Sequence, residues 1–224
     1  MKAMTLLAGT MLFLAPLHAQ DVRKLQPFDE IWVAGDIDVL LQKGEEESAV
    51  VTANGISEDK VSVYVKNGKL KLQLIDGFFY KDVDVRVVVT YKSLRGVNGT
   101  AGAEIDSDAV IEADLFTVKA GSGAQVKLEV KVNSLSAMAS EGGELDLAGT
   151  TNAQDATAAT GGNYRALGLQ CDQTKVRANT GGKADVVALK SLDASVNTGG
   201  QVNYSGDPEV RNTRNLLAGE IRKV

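Results

Sequence analysis

Two short series of charged residues are the only arrangement in this sequence suited to acid–base chemistry. Glu104 and Glu144 lie forty residues apart, as do Asp106 and Asp146, and Lys127 falls between the two aspartates. If each unit of about twenty residues forms one rung of a stack, the like acids stand two rungs apart, about 9.6 Å at the spacing of neighbouring strands. That is the edge of the roughly 6.5–9.5 Å separation at which an inverting glycosidase fits a water between its acid and its base. Lys127 argues the other way. A cation between two carboxylates holds both ionised, whereas a general acid must keep its proton. A charge ladder therefore accounts for these residues better than a catalytic pair. A β-helix lyase would need a dense group of calcium-binding acids beside a Lys or Arg base, and no such group is present. No catalytic residue, metal ligand or cofactor site is assigned.

Other chemistry is narrowed by residue counts. The chain has one histidine, His18, and one cysteine, Cys171. His18 lies in a segment that reads as a leader, so imidazole-dependent zinc sites, Ser-His-Asp triads and Cys-His pairs are excluded from the exported chain. Cys171 follows Leu167 and Leu169 at period two, which predicts a buried thiol serving as a small apolar residue. It has no second cysteine to pair with. The Gly-rich segments lack the strand–glycine–helix context of a nucleotide site. Phe78-Phe79-Tyr80, between Asp76-Gly77 and Lys81-Asp82, is the one cluster of aromatics. It suits either a surface that stacks on sugars or a partner, or a lid over an open sheet edge. Trp32 reads most simply as core or cap packing, with a binding role as the lesser alternative.

The chain is 224 residues long and carries 24 Lys and Arg against 29 Asp and Glu, with 44% hydrophobic and 5% aromatic residues. These values suit a folded, β-rich chain and exclude disorder and a bundle of membrane helices. Lys2, the apolar stretch from Leu6 to Leu17 and the small residue Ala19 read as a secretory signal over residues 1–19. The apolar run is too short to span a bilayer about 30 Å thick. Loss of Lys2 would leave the chain one unit more negative than its full-length −5, which argues against non-specific nucleic-acid binding. No integral membrane segment is expected after residue 19.

The elements that would position any site follow from a repeat. Small pairs recur at 102–103, 123–124, 142–143, 161–162, 181–182 and 199–200, spaced 21, 19, 19, 20 and 18 residues apart. Alternating apolar residues flank each pair, as in Ala156/Ala158 before and Tyr164/Ala166 after Gly161-Gly162. Alternation marks strands and the small pair marks a corner, so the pattern is that of a β-solenoid. One place after each pair stand Glu104, Gln125, Glu144, Asn163, Lys183 and Gln201. Three places after it stand Asp106, Lys127, Asp146, Arg165, Asp185 and Asn203. Neither series puts like charges side by side, as in-register stacking requires.

Towards the N-terminus, Ile31/Val33 and Ile37/Val39 about Gly35 read as a first coil, with Asp36 and Asp38 heading the charged series. Val61, Val63, Val65, Asn67-Gly68, Leu70, Leu72 and Leu74 spell a hairpin with a two-residue turn. The expected organisation is a single domain over 20–224, with wider coils at 27–94, regular coils at 95–206 and a polar cap at 207–224 containing Arg211, Arg214 and Arg222. The strand before each corner carries Thr157, Ala159, Arg177, Asn179, Ser195 and Asn197, beside Thr160, Thr180 and Thr198. That face is either a solvated sheet or a flat surface for an extended ligand.

Phe28-Asp29-Glu30-Ile31-Trp32-Val33, Asp38-Val39-Leu40-Leu41-Gln42-Lys43-Gly44, Gly68-Lys69-Leu70, Leu94 and the closing Asn203-Tyr204-Ser205-Gly206-Asp207-Pro208 together resemble a bacterial family, the putative auto-transporter adhesin, head GIN domain. The resemblance spans nearly the whole chain after the leader and implies a right-handed parallel β-helix on an exported protein. It transfers no activity and no catalytic residue. The function expected is a non-enzymatic adhesion or interaction module in the periplasm, at the cell surface or outside the cell. Its partner would be an extracellular glycan or protein, or a second copy of the chain. The alternatives are a polysaccharide-active enzyme on the same fold and a structural or assembly protein of the envelope.

Overall fold

Apolar residues at every second position build strands whose inner faces meet across a narrow core. The structure is a computed structural model that describes residues 22–75 and 83–224. The proposed leader and Phe78-Phe79-Tyr80 lie outside the described residues. In chain order the strands are β1 (Val22–Lys24), β2 (Glu30–Ala34), β3 (Asp38–Lys43), β4 (Ser48–Asn54), β5 (Val61–Lys66), β6 (Lys69–Leu74), β7 (Asp84–Tyr91), β8 (Gly96–Thr100) and β9 (Glu104–Ser107). They continue with β10 (Ile111–Ala120), β11 (Gln125–Ser140), β12 (Glu144–Ala159), β13 (Asn163–Asn179), β14 (Lys183–Val187), β15 (Ser191–Asn197), β16 (Gln201–Ser205), β17 (Val210–Asn215) and β18 (Glu220–Lys223).

From β8 onward the ladders are parallel and each coil stacks on the one before, so the chain forms a β-solenoid. The register pairs Gln125 with Glu104 and Glu144, and Lys127 with Asp106 and Asp146. Arg165 and Asp185 follow in the second column, and Asn163 and Lys183 in the first. The charged series therefore stack in the order read from the sequence. The long strands β11, β12 and β13 bend through the coil, so one strand contributes to more than one face of the solenoid.

Two requirements fix the small pair at each corner. In the coil ending at β12, Thr160 and Gly161 both have positive φ, 49° and 72°, a turn that the second residue meets most easily without a side chain. Gly162 then packs so closely on the preceding coil that a Cβ there would lie under 3.0 Å from the carbonyl oxygen of Ala139 and 2.6 Å from Ser140 N. Where an alanine fills this place, at Ala124, the facing residue one coil earlier is Gly99, whose absent Cβ would stand 3.4 Å from the Cβ of Ala124.

The N-terminal coils depart from sequential order. β2 pairs in parallel with β6 on one side and β8 on the other, and β3 lies likewise between β7 and β9. The coil read first along the chain is thus enclosed by two later ones. Ala34 pairs with Thr100 and Asp38 with Glu104, so Asp38 joins the first charged column and Leu40 faces Asp106. The expectation that Asp36 and Asp38 head the two columns is corrected by this register: Asp36 falls within the corner, and Ile37, 1% exposed, packs into the core. The hairpin of β5 and β6 forms through Asn67 and Gly68, with φ of 54° and 72°. Antiparallel β4 lies on β7, and β1 on β4.

At the other end, β17 pairs with β15 and β18 with β16. Arg211, Thr213 and Asn215 occupy the columns that Leu192, Ala194 and Val196 fill one coil earlier. Polar side chains thus replace apolar ones where the core stops. Arg211 Nη1 donates to the hydroxyl of Tyr204 at 2.8 Å.

Candidate functional site

The charged columns meet in a shallow depression of about 280 Å³ lined by Glu104, Asp106, Gln125, Lys127, Glu144, Asp146 and Arg165. Stacking alone brings them together, because each occupies the same place in successive coils. Arg165 Nη2 donates to Glu144 Oε2, and its Nε lies 3.6 Å from Asp146 Oδ2. One guanidinium therefore holds two of the four carboxylates that could have formed an acid–base pair. Side chains here remain partly in water: Arg165 is 38% exposed and Asp146 55%. Among the described residues, no group of three or more His, Cys, Asp and Glu side chains is arranged to hold a metal ion.

Inside the same coils is a buried polar network that the sequence reading missed. The Tyr164 hydroxyl donates to Gln154 Oε1 at 2.8 Å, and Gln154 Nε2 donates to Thr174 Oγ1 at 3.0 Å. Thr174 Oγ1 in turn donates to the carbonyl of Val187 at 2.6 Å. Each side-chain polar group named in this network thereby finds a partner, as burial demands. Burial pushes the Tyr164 hydroxyl well above the ordinary phenol range. Cys171 is buried beside this network, and burial raises its thiol pKa as well. The thiol contacts the carbonyl of Gln173 at 3.2 Å. This is a core residue, as its alternation with Leu169 implied. Leu167, however, is 48% exposed, because an irregularity between Asp146 and Ala148 on one strand and Arg165 and Gly168 on the other shifts the alternation.

The outward face before the corners carries an axial groove of about 460 Å³, running along Ser136, Asp155, Lys175, Asp193 and Asn212. Asp155 is bound by Arg177 at 2.7 Å and by Lys175 at 3.5 Å, and Asp193 by Arg214 at 2.8 Å. The groove is self-neutralised along its length.

At the other end of this face the structure corrects the reading of Trp32. Ile31 and Val33 are buried at 1% and 0%, so Trp32 between them points outward. Its ring lies under the ammonium of Lys71, 5.4 Å from the ring centroid. Tyr64, between Val63 and Val65, is 42% exposed on the same face. Strict alternation was the signal that could have placed both.

The fold defines the class of protein as a β-solenoid with polar, laddered faces. The chain belongs to the family described as "Putative auto-transporter adhesin, head GIN domain", whose model matches residues 27–208. Among solved structures it is similar to a putative adhesin from Bacteroides fragilis NCTC 9343, with a TM-score of 0.80 at 17% identity, covering 91% of this chain and 95% of that one. A putative lipid binding protein from Parabacteroides distasonis ATCC 8503 aligns with a TM-score of 0.70 at 22% identity, over 91% and 95% of the two chains. A putative adhesin from the same organism gives 0.67 at 21%, over 92% and 96%. These likenesses establish the shared fold. No functionally curated protein matches the chain.

Proposed function

We propose that this protein is an exported, non-enzymatic adhesion or interaction module of the cell envelope. Residues 1–19 act as its leader, 20–224 form one domain, and 207–224 cap the solenoid. The observation that carries this reading is Arg165: by engaging both Glu144 and Asp146 it commits the best-placed acids to ion pairs. Charges stacked and matched in this way favour a stable display surface over proton transfer. The description of the family as an adhesin supports the same reading, and among the described residues no helix is long and apolar enough to cross a membrane. Phe78, Phe79 and Tyr80 serve in this proposal as a contact for an extracellular glycan or protein.

A glycan-array screen of the purified protein tests the proposal, with Phe79→Ala alongside and the same glycans assayed for cleavage. Saturable binding without turnover supports it, and loss of that binding in Phe79→Ala assigns the contact to residues 78–80. Cleavage of any glycan would refute it in favour of an enzyme. Self-association with no glycan or protein ligand would turn the assignment to an assembly role.

A further inference from the structure

Seven aromatic residues lie among those described, and five are sealed in the core: Phe28, Tyr91, Phe116, Tyr164 and Tyr204, none more than 4% exposed. The remaining two share one outward column. Tyr64 of β5 pairs with Lys71 of β6, and Lys71 pairs with Trp32 of β2. The two rings are therefore two rungs apart, about 10 Å, a separation comparable with the length of a disaccharide, with an ammonium between them. The same column continues through Asn98 to Lys119.

The charge around these rings contrasts with the rest of the chain. Lys66, Lys69, Lys71, Arg95 and Lys119 surround the column, against two carboxylates, Asp29 and Glu30, on a protein with a net charge of −5. Glu30 pairs with Lys69 at 2.8 Å and with Arg95 at 3.1 Å, and Asp29 pairs with Arg95 at 2.5 Å. Lys66, Lys71 and Lys119 pair with no carboxylate among the described residues. Two depressions flank the central ion pairs. One of about 380 Å³ is lined by Lys66, Asn67, Lys69, Lys71 and Glu30. The other, of about 240 Å³, includes Arg95, Asn98, Thr117 and Lys119. They meet at Glu30 and Lys69.

We propose that the outward face of β5, β6, β2 and β8 binds an acidic polysaccharide, with Tyr64 and Trp32 as stacking surfaces and Lys66, Lys71 and Lys119 meeting its carboxylate or sulfate groups. This deepens the adhesion reading, on which it rests, by naming a surface and a ligand class. Sugar rings present flat C–H faces to aromatic rings, while their anionic substituents seek cations. A regular sheet repeats both features at the spacing of its strands. A membrane surface is the less suitable occupant, because Trp32 lies half-buried between Lys71 and Asn98 and does not protrude as an inserting side chain would.

Trp32 is the only tryptophan in the chain, so its emission reports on this face alone. The purified protein is titrated with polygalacturonate, alginate and chondroitin sulfate, with dextran and xylan as neutral controls. Saturable change in tryptophan emission with the acidic glycans alone, weakened by added salt, is the expected result. Tyr64→Ala and Lys71→Gln should each bind roughly tenfold more weakly, the loss of an anchoring contact. Tyr64→Phe should keep wild-type affinity, and so should Lys183→Gln, which lies in the separate charged column past the corner. Unchanged thermal melts confirm that these surface variants fold. Glycan binding that leaves Trp32 silent and vanishes in Phe79→Ala overturns the platform while sustaining the adhesion reading. A response to anionic lipid vesicles and to no glycan also overturns it, in favour of a membrane surface. Absence of binding to every glycan by every method overturns the platform and leaves the adhesion reading resting on a protein partner.

Discussion

Gly161 and Gly162 are adjacent, yet the structure gives them different reasons to be glycine, and alanine at each should cost different amounts. At Gly161 a new Cβ meets nothing within 4 Å, so the penalty is only that of an L-residue at a φ of 72°. A left-handed alanine costs roughly 1–2 kcal/mol, partly offset by a stiffer unfolded chain worth about 0.4–1 kcal/mol. The net loss should be about 1 kcal/mol. At Gly162 the Cβ would press on the carbonyl of Ala139 and on Ser140 N at 2.6 Å, all backbone atoms that cannot swing aside. Relief requires moving one rung of the ladder away from the next. Overpacking of a well-filled interior typically costs about 1–3 kcal/mol and occasionally more, and a backbone obstacle belongs at the upper end. Gly162→Ala should therefore lose about 3–4 kcal/mol. Urea unfolding followed by far-ultraviolet circular dichroism and by Trp32 emission measures both variants, and coincident curves license the comparison. With a slope of about 2 kcal/mol/M, the Gly162→Ala midpoint should fall at least about 1 M below that of Gly161→Ala. Equal midpoints, or a costlier Gly161→Ala, would refute the argument that stacking closeness governs the second glycine of each corner.

Tyr164→Phe should lower stability by about 1–3 kcal/mol in the same assay, because it leaves Gln154 Oε1 short of its buried donor. Thr180 is exposed at a φ of 49°, where a β-branched side chain is strained, so Thr180→Asn should raise stability by up to about 1 kcal/mol, read as a higher midpoint. Cys171 should resist a thiol reagent such as iodoacetamide at pH 8 in the folded protein and react readily in urea. Burial both raises its pKa, reducing the thiolate, and bars access, and mass spectrometry of the labelled peptide checks this.

The regular coils were legible because their order leaves two independent marks on the sequence. Small residues recur where corners turn, and charges alternate down columns whose members touch only if the coils stack. The enclosed first coil left no such mark. β2 pairs with strands 39 and 66 residues further along, so no fixed spacing advertises the contact. The slip that assigned Asp36 to a charged column arose there, where Gly35 imitates a corner pair but stands beside the position of Ala101. The outward ring of Trp32 was overlooked because tryptophan suggests core, although Ile31 and Val33 on either side had already claimed the inward direction. The network of Tyr164, Gln154 and Thr174 joins two neighbouring coils and reaches a third through the carbonyl of Val187, and its polar members look like surface residues until the fold sets them face to face.

The enclosure of β2 and β3 also bears on when this chain can fold. In the regular coils a newly made strand finds its partner about one coil back, so stacking can advance as residues become available. The coil of β2 and β3 has no such neighbour. Both its edges stay open until residues 69–107 have appeared, and closing it spans far longer stretches of chain than any later step. Long-range closure of this kind is slow. The N-terminal end therefore stays an unfinished template until residue 107 has been made, and the regular coils then stack onto it in chain order.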